Sequence, residues 1–174
     1  MRNIWLGAIP ALVMLGASPA HAAELTVNWD APEDFTDVKP VNEGRKHFRE
    51  RTLQTLETYL SELAATLPPQ QKLSLTVTDL DLAGEVWPSS FVGLGNSSAD
   101  VRLVKRLYIP KMTFRYTLVD ETGALVKQAD VRLKDMGFMD GVSSRIKEEP
   151  LGYEKHMIKE WFTEEFEPQL SAKL

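Results

Sequence analysis

The chain has 174 residues, a formal net charge of −5 and no cysteine. The missing cysteines exclude disulfides and a thioether-linked lipid anchor, and the acidic balance argues against nucleic acid, which rewards basic surfaces. No repeat or low-complexity tract interrupts the sequence.

At the N-terminus Arg2 precedes the apolar run "IWLGAIPALVMLGA" and then "SPAHAAE", with Ala20 and Ala22 as the small residues a signal peptidase reads. Cleavage is expected after Ala22, so residues 1–22 read as a signal peptide and 23–174 as the mature protein, of a size suited to a single domain. The apolar run is short for a bilayer, which needs roughly 20 residues, and no second one follows, so no transmembrane segment is expected. These features predict a periplasmic protein.

"ELTVNW" alternates Leu25, Val27 and Trp29 and predicts a strand with one buried face. "DAPEDFTDVKP" reads as an irregular link. From about Asn42, Phe48, Leu53, Leu56, Leu60, Leu63 and Leu67 recur at helical spacing until Pro68 and Pro69, predicting a helix packed on a sheet. "KLSLTVTDLDLAG" is a strand whose apolar parity changes: Leu73, Leu75 and Val77 share one face, Leu80 and Leu82 the other. A β-bulge, or passage into another layer, would do this, and would turn Asp79 and Asp81 toward solvent or a basic partner.

Residues 85–100, "EVWPSSFVGLGNSSAD", read as a long link folding back over the core or covering a ligand or partner. In "VRLVKRLYIPKMTFRYTLV" there are five positive charges, Arg102, Lys105, Arg106, Lys111 and Arg115, and no acidic residue. Met112, Phe114, Tyr116 and Leu118 alternate inward there, and "DETG" turns the chain into "ALVKQADVRL" as a hairpin. The arginines are expected to pair with Asp79, Asp81 or Asp135 across the sheet, with an anionic ligand as the alternative. A last helix is expected from Pro150 to just before Pro168, burying Leu151, Ile158, Trp161, Phe162 and Phe166.

Chemistry-bearing patterns are few. A calcium loop starting at Asp79 fails where Ala83 and Ser90 replace ligands. A glycosidase-type pair at Asp79 and Asp81 is geometrically possible, because residues two apart on one strand face lie about 7 Å apart. "GNSSA" approaches a nucleophile elbow at Ser97, but Ala99 stands in place of its second glycine. His156 and Glu160 stand four apart without an HExxH pattern, and His47 is the one further histidine of the mature chain. No catalytic residue, metal ligand set or cofactor cradle is assigned. The ligand-binding candidates are Asp79, Asp81, Arg106, Arg115 and Asp135.

The segments "FTDVKP", "TVTDLDLAGE", "YIPKMTFRYTLVDETG", "LKDMGFMD" and "LGYEKHMIKEWF", in this order, resemble a family of exported proteobacterial proteins called domain of unknown function 3016. The resemblance implies a Gram-negative periplasmic setting and supplies no activity, cofactor or catalytic residue. It marks Asp79, Asp81, Gly84, Asp135, Tyr153, Glu154 and Trp161 as motif positions.

The expected fold is α+β, ordered β-α-β-β-β-α, with a mostly antiparallel four-stranded sheet and two amphipathic helices on one face. The expected function is a non-catalytic binding or envelope-assembly module, whose partner would be another envelope protein or an anionic envelope polymer. A small hydrolase of envelope polymers using Asp79 and Asp81, or a weak divalent-cation binder, are the alternatives. A binding module should present an exposed patch without a cleft. A hydrolase should present a cleft and a carboxyl with a raised pKa.

Overall fold

The computed structural model describes residues 22–95, 99–140 and 143–171. The expected leader, apart from Ala22, and the elbow-like Ser97 lie outside them.

Strand β1 (Glu24–Trp29) leads through a 3-10 turn at Pro32–Asp34 to helix α1 (Arg45–Ala64) and back to β2 (Lys72–Asp81), which pairs with β1 in parallel. The short strands β3 (Glu85–Pro88) and β4 (Asp100–Leu103) form a separate antiparallel ribbon. The hairpin of β5 (Lys111–Val119) and β6 (Leu125–Lys134) completes a four-stranded sheet of order β1-β2-β5-β6. A short helix α2 (Ser144–Glu148) and the long helix α3 (Gly152–Ser171) close the chain. The sheet is mixed: β2 with β5 and β5 with β6 are antiparallel, while the helical crossover makes β1 and β2 parallel.

One apolar cluster joins the helices to one sheet face. Leu53, Leu56, Leu60 and Ala64 of α1, and Met157, Ile158, Trp161, Phe162 and Phe166 of α3, meet Leu73, Leu75 and Val77 of β2 and Met112, Phe114, Tyr116 and Leu118 of β5. Trp161 sits edge-on to Phe114, Tyr116 and Phe166, at 4.7, 5.7 and 5.7 Å between centroids. The opposite face carries Ser74, Thr76, Thr113, Arg115, Thr117 and Asp130 and is open or half-open to solvent.

The parity change in β2 is a bulge. Val77 faces Phe114 and Asp79 faces Thr113, so Thr78 is the extra residue and Leu80 returns to the core. The β5–β6 turn is closed by Asp120, whose Oδ1 accepts from the Thr122 and Ala124 amides at 2.8 and 3.0 Å.

Three expectations are corrected. The 85–100 stretch opens as strand β3 and ends at the first residue of its ribbon partner β4, and rather than folding over the core it leaves Phe91 77% and Leu94 62% exposed. The "DAPEDFTDVKP" link is instead partly core: Phe35 and Val38 are buried, and Asp37 bridges in parallel to Asp81 beyond the end of β1. Helix α3 starts at Gly152 and runs through Pro168. The proline only withdraws the bond to the Glu164 carbonyl, at an exposed position in the final turns. At its start, a Cβ on Gly152 would lie 1.8 Å from the Ile146 carbonyl oxygen, so a side chain there would prise α2 from α3.

Candidate functional site

The end of the sheet where β2 leaves the ladder brings together the N-terminal half of α1, the ribbon and the α2–α3 junction. Between them lies an open groove of about 340 Å³. Phe48 and Thr55 come from α1, Leu82 and Ala83 follow β2, Val104 follows β4, and Leu151 precedes α3. Its walls are largely apolar, and among its ionisable side chains, Arg51, Arg102, Glu149, Tyr153 and Glu154, the two most deeply set charged groups are Arg102 and Glu154.

Helical spacing puts Glu154 on the buried stripe of α3 together with Ile158 and Trp161. It is 3% exposed, and its Oε1 accepts the Ala83 amide proton at 2.6 Å. Burial pushes its carboxyl above the ordinary range; the Ala83 hydrogen bond and the Arg102 charge oppose this, and Asp81 adds to it.

Arg102 crosses beneath the groove. Its Nη1 donates to Asp37 Oδ2 at 2.8 Å and to the Ala83 and Gly84 carbonyls at 3.4 and 3.3 Å, while Nη2 donates to the Lys39 carbonyl at 2.9 Å. Gly84 permits this approach, since with φ +88° a Cβ there would meet the Leu103 carbonyl oxygen at 2.8 Å and the Arg102 side chain at 3.1 Å. Asp37 is buried, held by the backbone bonds Asp37 N–H to Leu80 O and Leu82 N–H to Asp37 O at 3.2 and 3.1 Å. Its second oxygen, Oδ1, has no partner among the described residues. Beside it, Asp81 takes the Lys111 ammonium at 2.6 Å. Three carboxyls, Asp37, Asp81 and Glu154, thus lie around two cations, Arg102 and Lys111.

The five candidates named from the sequence are dispersed. Asp79 Oδ1 and Oδ2 accept from the Thr36 amide and hydroxyl at 2.8 and 2.9 Å. Asp81 pairs with Lys111. Arg115 lies 3.9 Å from Asp130 on the open sheet face. Arg106 holds Asp140 through two bonds of 2.7 and 2.5 Å at the surface. That contact raises the Arg106 pKa and holds the Asp140 carboxyl below its ordinary range. Asp135 Oδ1 accepts the Gly137 amide proton at 2.9 Å within a turn. Asp79, Asp81 and Arg115 belong to neighbouring sheet strands, whereas Arg106 and Asp135 lie in the segments flanking β5 and β6.

The expected pairing of the arginines with Asp79, Asp81 and Asp135 is therefore corrected. The bulge sets Asp81 opposite Lys111 and Asp79 opposite Thr113, while Arg115 lies across from Thr76 and Asp130. None of these five residues lines the groove. The residues that do the electrostatic organising are Asp37, Arg102 and Glu154. Arg102 was legible merely as one of a basic run. The signal at Glu154 is a carboxylate in step with the apolar stripe of its helix.

Among the described residues, no group of three or more His, Asp or Glu is placed to hold a metal ion. The groove is lined by no serine or histidine among them; besides its apolar walls it carries Arg51, Arg102, Tyr153 and two carboxyls, Glu149 and Glu154, and burial favours the acid form of Glu154. No helix among them is long and apolar enough to cross a membrane. No protein with a curated description matches the chain. The model of the family described as "Protein of unknown function (DUF3016)" matches residues 23–164, and the chain belongs to that family.

Proposed function

We propose that the protein is an exported periplasmic binding module that receives an apolar segment of another envelope protein in the groove between α1 and the α2–α3 junction. The observation that carries this reading is the division of labour in the groove. Its walls are largely apolar, and the charged groups that line it are engaged within the protein: Arg102 by Asp37 and the Lys39 carbonyl, Glu154 by the Ala83 amide, Arg51 by Glu43 and Glu149 by Lys155. A site of this kind rewards burial of an apolar side chain rather than recognition of a charged polymer. Its volume of about 340 Å³ is at the small end of ligand pockets, suited to one or two side chains. Export rests on the leader-like residues 1–22.

A second reading, hydrolysis of an envelope polymer, is favoured by the coincidence of a cleft with a carboxyl of raised pKa. It would employ Glu154 as an acid, not Asp79 and Asp81, whose oxygens are engaged outside the groove.

The test is a titration of the mature chain with short apolar peptides, followed by methyl NMR. Saturable shifts at Leu82, Val104 and Leu151 that disappear in Thr55→Trp, which fills the groove, are expected. Shifts confined to other surfaces, or none at all, would overturn the reading. Turnover of cell-wall fragments lost in Glu154→Gln would establish the hydrolase instead.

A further inference from the structure

Strand β6 ends the sheet, and its ten residues, Leu125–Lys134, contain neither proline nor glycine. A long edge strand presents a row of free N–H and C=O groups and is a template for pairing unless blunted. On β6 the blunting devices are charges on the open face, where Gln128, Asp130, Arg132 and Lys134 are exposed. On the core face Ala129, Val131 and Leu133 are half-buried against the cluster. The strand is thus a defined row of side chains whose self-complementarity can be tested register by register.

Two β6 strands pairing antiparallel about a twofold axis must match residues of equal parity, because outward-pointing backbone groups alternate along each strand. A register centred on Asp130 sets that aspartate against its own copy, and one centred on Arg132 sets arginine against arginine. Centred on Leu133, Arg132 opposes Lys134; centred on Ala129, Arg132 opposes Val126 and no ion pair forms. Centred on Val131, every cross-strand pair is complementary. Asp130 faces Arg132 twice, Gln128 faces Lys134 twice, Ala129 faces Leu133 twice, and Val131 meets Val131 at the axis. The same register carries Val126, 40% exposed, toward Met136, 80% exposed, at each end of the ladder. Arg132 has no ion-pair partner among the described residues, so this register supplies one.

Helix α3 lies over the hairpin that carries this edge, its rings packing on Phe114 and Tyr116 of β5 and its Glu165 taking the Lys127 ammonium of β6 at 2.7 Å.

We infer that β6 is a self-association edge, and that a second copy of this chain pairs with it antiparallel about Val131 to make one continuous sheet through both. The charges that repel a strand in other registers select this one.

Sedimentation of the mature chain from low to hundreds of micromolar tests it. The wild type is expected to dimerise. Arg132→Asp, which sets two aspartates face to face at two places, should weaken the dimer about tenfold or more. Asp130→Arg should do likewise, and the charge-swapped double variant should recover association. Asp130 also lies 3.9 Å from Arg115, so Arg132→Asp is the cleaner single change. Hydrogen exchange of the wild type provides a readout that needs no variant: the outward-pointing amides of β6 should gain protection with concentration. A wild type that stays monomeric throughout, exchange of β6 independent of concentration, or a dimer indifferent to both single variants would overturn the inference.

Discussion

Two ion pairs only four residues apart along the chain show how little contact length says about an interaction's role. Arg102 reaches Asp37 at 2.8 Å and Arg106 reaches Asp140 at 2.5 Å. The side chains of the first pair are 18% and 4% exposed, those of the second 68% and 57%. Water already solvates Arg106 and Asp140 in the unfolded chain and continues to do so in the folded one, so their contact replaces solvation with an equivalent. Asp37 is different. Its surroundings have excluded water, and with Arg102 removed its charge would have no compensation. The shorter bond holds two surface segments together; the longer one joins the ribbon, the extension of β2 and the segment after β1 beneath the groove.

The largest effect should come from breaking that buried pair. Arg102→Ala leaves Asp37 buried and uncompensated and is expected to cost about 3–5 kcal/mol in urea unfolding. Arg106→Ala should move the midpoint only slightly. If both variants unfolded at the wild-type midpoint, the floor of the groove would be hydrated and the distinction between the pairs would vanish.

Trp161 extends the comparison to apolar packing. Its ring meets four aromatic neighbours and is 9% exposed, and its Nε1 has no hydrogen-bond partner among the described residues. Truncation therefore loses packing without losing a polar contact. Trp161→Ala is expected to cost about 3–5 kcal/mol, and a loss below about 1 kcal/mol would mean that the cluster closes over the vacancy.

Asp79 and Asp81 are intermediate in exposure between the two ion pairs. Asp79 ties the Thr36 segment to the bulge, and Asp81 meets Lys111 with side chains 15% and 42% exposed. Replacing both by asparagine keeps the shape and removes the charge, at an expected cost of about 1–3 kcal/mol. The wild-type midpoint should be the same in millimolar calcium and in EDTA. A rise with calcium that needs both aspartates would make this a cation site.

What the sequence disclosed and what it withheld divide along a physical line. Features whose cause is local were legible: the helical stripe of Leu53, Leu56 and Leu60, the inward alternation of Met112 to Leu118, and the parity change that marks the bulge at Thr78. The β3–β4 ribbon was not, because its strands are four residues each, too short for alternation to stand out from a Gly, Ser and Pro background. The parallel pairing of β1 with β2 has no local signature, since a whole helix separates the partners. Asp37 reads as a polar link residue until Asp81 arrives beside it through the bridge that extends the sheet. The groove was missed for the same reason: its lining comes from four separate parts of the chain. Glu154 alone among its ionisable groups carried a local clue, the position on the α3 stripe.

The smallest expected effect, and the most diagnostic, concerns that glutamate. Burial raises its folded-state pKa above the ordinary carboxyl value, against the opposing pull of the Ala83 amide and Arg102. Between the unfolded value and the higher folded one, the folded protein holds the proton more often than the unfolded chain. Stability from this group is therefore complete below the unfolded pKa and is lost as pH rises through the folded pKa. Asp120 and Asp140, whose carboxyls are held low, work in the opposite sense and lose their contribution as pH falls. Those groups are common to wild type and Glu154→Gln, so the difference between the two stability curves isolates Glu154. Glutamine retains an oxygen for the Ala83 amide but cannot ionise. The variant is expected to gain on the wild type as pH rises from about 4.5 upward, then to run parallel to it once the wild-type glutamate is fully charged. Urea titrations of both proteins at half-unit intervals from pH 4 to 8 measure this difference. A difference that does not change with pH would show that the Ala83 amide and Arg102 cancel the effect of burial and leave the folded pKa at its unfolded value. A difference that falls with rising pH would show that the ionised form is the one the groove floor prefers.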